Sequence, residues 1–325
     1  MKYVPVQGLA RGCSQIVMGS SLFGLRNKAA IFELLDTYIE QGGNTIDTAR
    51  IYQRGESELV LAMWLKSRQN RGNMIVINKG GHHHIDSQGI HHPAQKRVTP
   101  NCITQDLLDS LESMGLDYLD IYLLHRDDPA VPVGELMDVL EEHKKAGRIK
   151  TYGVSNWSVQ RIEEAIRYTS RKGYAGIAVN SPSLSLARIN EPRWVGCVYA
   201  GHEDIRWHEE SQKPLLAWAS QASGFFAGIF SAETVSKGEI ARVYHNEANR
   251  ERLFRAHQLS KLKGTRITPT NIALAYVLNQ QFPVCAIIGP HQTDNLLSSL
   301  RAMNIELTEE EMLWLDLKDD YRAIG

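Results

Sequence analysis

Residues 103–155 read ITQDLLDSLESMGLDYLDIYLLHRDDPAVPVGELMDVLEEHKKAGRIKTYGVS. Two segments, ITQDLLDSLESMG (103–115) and VGELMDVLEEHKKAG (133–147), space their apolar residues three and four apart, as one face of a helix requires. After them come YLDIYLLH (118–125) and TYGVS (151–155), short apolar or β-branched runs that suit strands covered on both faces. Gly115 and Gly147 end the two helical segments, where glycine accepts the left-handed conformation most easily. Helix, strand, helix and strand in one short stretch is the rhythm of a parallel sheet.

That rhythm continues in both directions. IVMG (16–19), NTID (44–47), MIVINK (74–79), GIAVN (176–180), PLLAW (214–218) and VCAIIG (284–289) bring the strands to eight, and AAIFELLDTYIEQGG (29–43) and VQRIEEAIRYTSRKG (159–173) add helices. Eight strand–helix units in 325 residues predict an α/β fold, a closed (β/α)8 TIM barrel forming a single domain over residues 1–325. Alternation alone also permits an open doubly wound sheet.

Composition narrows the function. The 36 Lys+Arg and 37 Asp+Glu leave a net charge of -1, so no overall field favours nucleic acid or an anionic membrane surface. Cys13, Cys102, Cys197 and Cys285 form no Cys-x-x-Cys pair, which fits a reducing compartment. Neither an apolar leader nor a run of the ~20 residues needed to span a bilayer is present, and the expected location is the cytoplasm. Gly-x-Gly-x-x-Gly and Gly-x-x-x-x-Gly-Lys-Ser/Thr are both missing, so a nucleotide would need another cradle.

In such a barrel, chemistry gathers at the C-terminal ends of the strands. Asp47, Lys79 and His125 close three strands and Tyr52 follows the first of these. Singly, each has an ordinary explanation: a strand-end Asp caps a helix, a Lys is solvated, a Tyr packs. Together they are complementary, because a cation beside a phenol lowers its pKa and Asp47 could hold Lys79 by an ion pair.

GGNTIDTARIY (42–52), the Lys79 strand, DYLDIYLLH (117–125) and GVSNW (153–157) resemble, in order and over nearly the whole chain, the aldo-keto reductase superfamily. HRDDP (125–129), SPSLSLA (181–187) and SQASGFF (220–226) place the resemblance in a bacterial and plant subgroup. The resemblance implies reduction of an aldehyde or ketone by a nicotinamide cofactor, with Asp47, Tyr52, Lys79 and His125 as the catalytic tetrad. Tyr52 would protonate the developing alkoxide and His125 would orient the carbonyl. It also implies that Ser155 and Asn156 hold the nicotinamide amide and that Asn180 contacts it, while Ser183 stands where the family often has a stacking Tyr.

ASQASGFFAG (219–228), with Ser220, Gln221 and Gly224, suits a diphosphate approached by backbone amides. In IIGPHQTDNLLSSL (287–300), Gly289, His291, Asn295 and Ser299 match the adenosine-phosphate segment, with His291 replacing an Arg. NADP(H) is expected from the family, and NAD(H) is the alternative because neutral His is a weaker phosphate partner. Some superfamily members resemble potassium-channel β subunits, so a cofactor-sensing subunit without turnover is the competing function.

Phe23, Trp157, Trp194 and Trp207, with Ser21, are candidate substrate contacts, and rings beside polar groups would suit a sugar or a sugar-derived carbonyl. The aromatic segment 193–208 could equally pack helices on the barrel exterior. His82, His83, His84, His91 and His92 crowd one loop and could take up zinc or nickel adventitiously, but no Cys joins them and their spacing matches no closed structural site, so a polar cleft border without metal is expected. VSKGEIARVYHNEANRERLFR (235–255) mixes both charge signs and reads as a solvated helix.

Overall fold

The computed structural model describes residues 1–86, 88–227 and 238–318. Eight parallel strands close into a barrel: β1 (Ile16–Gly19), β2 (Thr45–Asp47), β3 (Ile75–Gly80), β4 (Leu119–Leu124), β5 (Ile149–Ser155), β6 (Asn180–Ser181), β7 (Leu215–Ala217) and β8 (Val284–Ile288). Each pairs with its neighbours in sequence, and β8 returns to β1 through Ala286↔Ile16, Ile287↔Val17 and Ile288↔Met18. The single-barrel fold expected from the sequence is therefore the one observed, and closure excludes the open sheet.

Among the described residues, eight of the helices follow the strands in turn: α1 (Lys28–Glu40), α2 (Glu56–Arg68), α3 (Pro100–Met114), α4 (Val133–Lys145), α5 (Val159–Lys172), α6 (His202–Ser211), α7 (Pro269–Leu278) and α8 (Thr293–Leu300). Thr99 caps α3 by accepting from the Cys102 N–H, and Ser158 caps α5 in the same way from Arg161. A hairpin of Tyr3–Val4 and Cys13–Ser14 closes the N-terminal end, with Val4, Val6 and Cys13 packed on the barrel interior. Among the described residues no helix is long and apolar enough to cross a membrane.

Side chains alternate along the central parts of these strands. Val17, Ile75, Ile77, Ile121, Leu123, Val179, Leu216, Cys285 and Ile287 form one buried cluster, the inside of the barrel. Ile16, Met18, Ile46, Val76, Tyr122, Leu124, Val154, Ala286 and Ile288 join the helices in the outer core. Continuing the inner row by two residues reaches Lys79 and His125, while Thr45 leads to Asp47.

Two expectations need correction. GIAVN (176–180) yields only Asn180–Ser181 as strand, although Ala178 still donates to the Tyr152 carbonyl at 2.9 Å. The segment 235–255 is not one solvated helix: Glu239–Tyr244 and Glu247–Lys263 are separate, Asn246 caps the second, and Val243, Tyr244, Asn249 and Arg252 are buried. Residues 235–237 lie outside the described residues.

Asn180 occupies the outward parity. Its Nδ2 is 3.2 Å from Nε2 of His208 on α6, whose Nδ1 lies 2.7 Å from the Lys213 carbonyl. His208 is thus a fully buried neutral imidazole, and burial lowers its pKa to about 4. Because the unfolded chain binds this proton near the ordinary value of about 6.5, the contribution is complete above that value and is lost as pH falls toward 4. The stability advantage of the wild type over His208→Gln should shrink by about 1–2 kcal/mol between pH 7 and pH 5 in urea unfolding; a constant gap would contradict it. Gly153 faces inward where a Cβ would collide with the Val179 carbonyl oxygen, so Gly153→Ala should destabilise by about 1–3 kcal/mol in the same assay.

Candidate active site

β2, β3 and β4 deliver Asp47, Lys79 and His125 to one end of the barrel, and the tight turn at Tyr52–Gly55 folds Tyr52 back over them. Gln53 and Arg54 in that turn take positive φ of 49° and 55°. The Tyr52 N–H donates to the Ala49 carbonyl at 3.0 Å. Lys79 Nζ donates to Asp47 Oδ2 at 2.7 Å, the Thr48 carbonyl at 2.9 Å and the Tyr52 hydroxyl at 3.1 Å. Its three protons are all engaged. The Tyr52 and His125 rings meet edge to face at 5.9 Å between centroids.

Burial sets the protonation of this group. Burial alone would lower the Lys79 pKa, but Asp47 and Tyr52 raise it beyond the ordinary value, so the ammonium persists. The Tyr52 pKa is raised, because burial outweighs the opposing charge of Lys79. This corrects the expectation that Lys79 would bring the phenol down toward neutrality. Tyr52 is consequently a protonated donor at neutral pH, the state an acid needs before transfer. His125 is held well below its usual value by burial, assisted by His82 and Arg126, and is neutral.

The expected cofactor residues divide. Gln221 Nε2 donates to Ser299 Oγ at 3.0 Å, tying the loop after β7 to α8. A Cβ at Gly289 or Gly224 would find no heavy atom within 4 Å, and His291 and Asn295 are exposed beside them. The N-terminus of α8 lacks a side-chain cap, leaving amide donors for an anion. Ser220, by contrast, is buried and donates to the Ile287 carbonyl at 2.7 Å. Gly228 lies outside the described residues.

Ser155 faces inward and donates to the Ser181 carbonyl at 2.7 Å, and Asn156 Nδ2 donates to the His125 carbonyl at 3.2 Å. Asn180 does not reach the cleft, since it points toward α6; Ser181 holds the inward position that parity would have indicated. Ser183 is buried against Trp218 and Tyr199.

Of the substrate candidates, Trp157 is fully buried and donates to the Arg126 carbonyl at 3.1 Å, so it offers no surface. Trp207 donates to Glu163 on α5 at 2.6 Å and packs between outer helices. Phe23 is 2% exposed and Ser21 belongs to the neighbouring loop. Trp194 is 49% exposed and stacks on Trp218 at 6.2 Å and 25°. Trp218 follows β7 on the inner side, where the apolar run PLLAW (214–218) alone does not separate a cleft-facing ring from strand core.

The histidine-rich loop folds into a hairpin, His84–Ile85 against His91–His92. It brings nitrogens of His82, His83 and His91 within 4.8 Å of one another, a spacing that could hold a metal ion and that sequence spacing gave no reason to expect. His83 Nε2 and His91 Nδ1 already share a hydrogen bond of 2.8 Å. His82 stands 4.9 Å from His125 between ring centroids.

Known proteins resemble this chain in sequence and in fold. The chain is 28% identical over 299 residues to norsolorinic acid reductase of Aspergillus flavus, covering 91% of this chain and 73% of that protein. It is 25% identical over 300 residues to the NADP(+) aryl-alcohol dehydrogenase of Phanerodontia chrysosporium, covering 90% and 77%. The thermostable aldo-keto reductase Tm1743 in complex with epalrestat superposes with a TM-score of 0.73 at 22% identity, covering 98% of this chain and 100% of that one. An aldo-keto reductase from Klebsiella pneumoniae in complex with NADPH gives 0.71 at 20% identity, covering 98% and 95%. The profile of the Aldo/keto reductase family matches residues 15–320, and with its barrel and its relatives named as reductases and dehydrogenases the chain belongs to that family of oxidoreductases.

Proposed function

We propose that this protein reduces an aldehyde or ketone with NADPH, reversibly, using Tyr52 as the general acid. The observation that carries the reading is the Lys79 ammonium shared between Asp47 and the Tyr52 hydroxyl. The cofactor would be held at the adenosine end by Gln221, Ser299, Gly289 and the uncapped start of α8, and at the nicotinamide end by Ser155 and Asn156. Bound there, reduced nicotinamide supplies the hydride. Tyr52 Oη donates its proton to the carbonyl oxygen as negative charge develops, and Lys79 steadies the phenolate left behind. Neutral His125 can orient the same oxygen by a hydrogen bond.

NADP(+) is named by an aryl-alcohol dehydrogenase relative and NADPH by a structural neighbour. The Trp194–Trp218 stack and the aromatic substrates in relatives' names favour an aryl carbonyl. A sugar carbonyl is the weaker reading, since Trp157 and Trp207 are committed to packing. Among the described residues no feature of the site favours a cofactor-sensing role without turnover, and steady oxidation of NADPH by the isolated protein would decide against it.

Tyr52→Phe should keep NADPH affinity and lose about 10²–10⁴ in kcat/KM for benzaldehyde reduction. Near wild-type turnover removes Tyr52 as acid. With its phenol pKa raised by burial, reduction should stay level through neutral pH and decline only near or above the ordinary phenol value of about 10, while alcohol oxidation rises over that interval. At the adenosine end, His291→Arg should tighten NADPH about tenfold and leave NADH unchanged in fluorescence titrations. Equal tightening of both would mean that position 291 does not meet the 2′-phosphate.

A further inference from the structure

Arg126 follows His125 directly and is 8% exposed. Its Nη1 donates to the His125 carbonyl at 2.9 Å, and its Nε is buried without a partner. The adjacent acids are engaged elsewhere: Asp127 lies 3.3 Å from Arg161 and Asp128 2.7 Å from Lys96. Arg252, buried to the same degree at 6% exposure, stands 3.5 Å from Asp316. Among the described residues Arg126 forms no ion pair with a carboxylate. A buried cation without a counter-ion is strongly unfavourable, so its retention points to an anion supplied from outside the chain.

Its surroundings say where that anion would sit. The guanidinium's charge acts on Tyr52, His125 and His82 together, the groups that border the reacting carbonyl. The loop after Trp194 covers its stem, since a Cβ on Gly196 would lie 3.4 Å from Arg126 Cδ. A guanidinium held by its stem, with donors left over, matches the planar fork that pairs with an oxyanion.

We propose that Arg126 is an anion-binding residue of the substrate cleft, so that the carbonyl substrate carries an oxyanion group, carboxylate or phosphate, which pairs with Arg126 while its carbonyl oxygen meets Tyr52. The proposal rests on the carbonyl-reductase reading and specifies its substrate class.

Two matched pairs of aldehydes test it: 4-carboxybenzaldehyde against methyl 4-formylbenzoate, and glyceraldehyde 3-phosphate against glyceraldehyde. In the wild type, kcat/KM should favour the charged member of one pair by about tenfold or more; that pair identifies the oxyanion. Arg126→Gln should bring the ratio near one, and Arg126→Lys should restore part of it. NADPH affinity reports whether each variant is folded. A ratio unaffected by Arg126→Gln, or an equal loss for charged and neutral members, overturns the proposal. If the wild type reduces none of the four, the reaction reading fails separately. Calorimetric titration of benzoate and of inorganic phosphate into the NADP+-saturated protein then tests the anion site alone. Binding of either that Arg126→Gln abolishes supports it, and no binding of either to the wild type overturns it.

Discussion

A lysine ammonium buried at the mouth of a barrel is tolerable only if each of its protons has an acceptor and its charge a counter-charge. Lys79 is 3% exposed, and Asp47, the Thr48 carbonyl and the Tyr52 hydroxyl supply these needs at 2.7, 2.9 and 3.1 Å. Removing one partner of such a pair typically costs about 3–5 kcal/mol, because the other charge is left buried and alone. The constraint reaches well beyond the four atoms. It requires β2 and β3 in the register Asp47↔Ile77, and it requires the strained turn at Gln53 and Arg54 that lays the Tyr52 phenol against the ammonium. The same contact that stabilises Lys79 fixes the hydroxyl that we propose as the acid, so in that reading fold and chemistry share one interaction.

The barrel was legible in the sequence because apolar runs and helical periodicity are local properties, and each parallel strand is covered on both faces. Asp47, Lys79 and His125 were legible for a related reason: they continue inward rows that begin with Thr45, Ile75 and Ile121. Asn180 was misplaced although the same parity applied. GIAVN (176–180) looks like an unbroken strand, and choosing its last residue rather than the next put an outward side chain in the cleft. Trp157 and Trp207 show a different limit. Whether an aromatic ring lines a pocket or seals a helix interface depends on what lies across from it, here the Arg126 carbonyl and Glu163, both distant in sequence. The gathering of His82, His83 and His91 likewise needs a hairpin that only backbone pairing reveals.

Electrostatic balance links the remaining features of the cleft. The Lys79 charge is offset by Asp47, and burial keeps Tyr52 protonated and His125 neutral. Burial likewise takes His82 down to about 2 and His83 to about 4, with Arg126 contributing to both shifts. Among the described residues around Tyr52 and His125, the Arg126 cation is therefore the charge left without a carboxylate partner. That field bears on the histidine hairpin in two ways. It adds to the burial that keeps His82 and His83 neutral, which is the form a metal requires, yet it repels a dication, which would also have to break the bond between His83 and His91. An anion at Arg126 would cancel the field and remove that repulsion, so occupancy of the proposed anion site would bear on what the three histidines could hold.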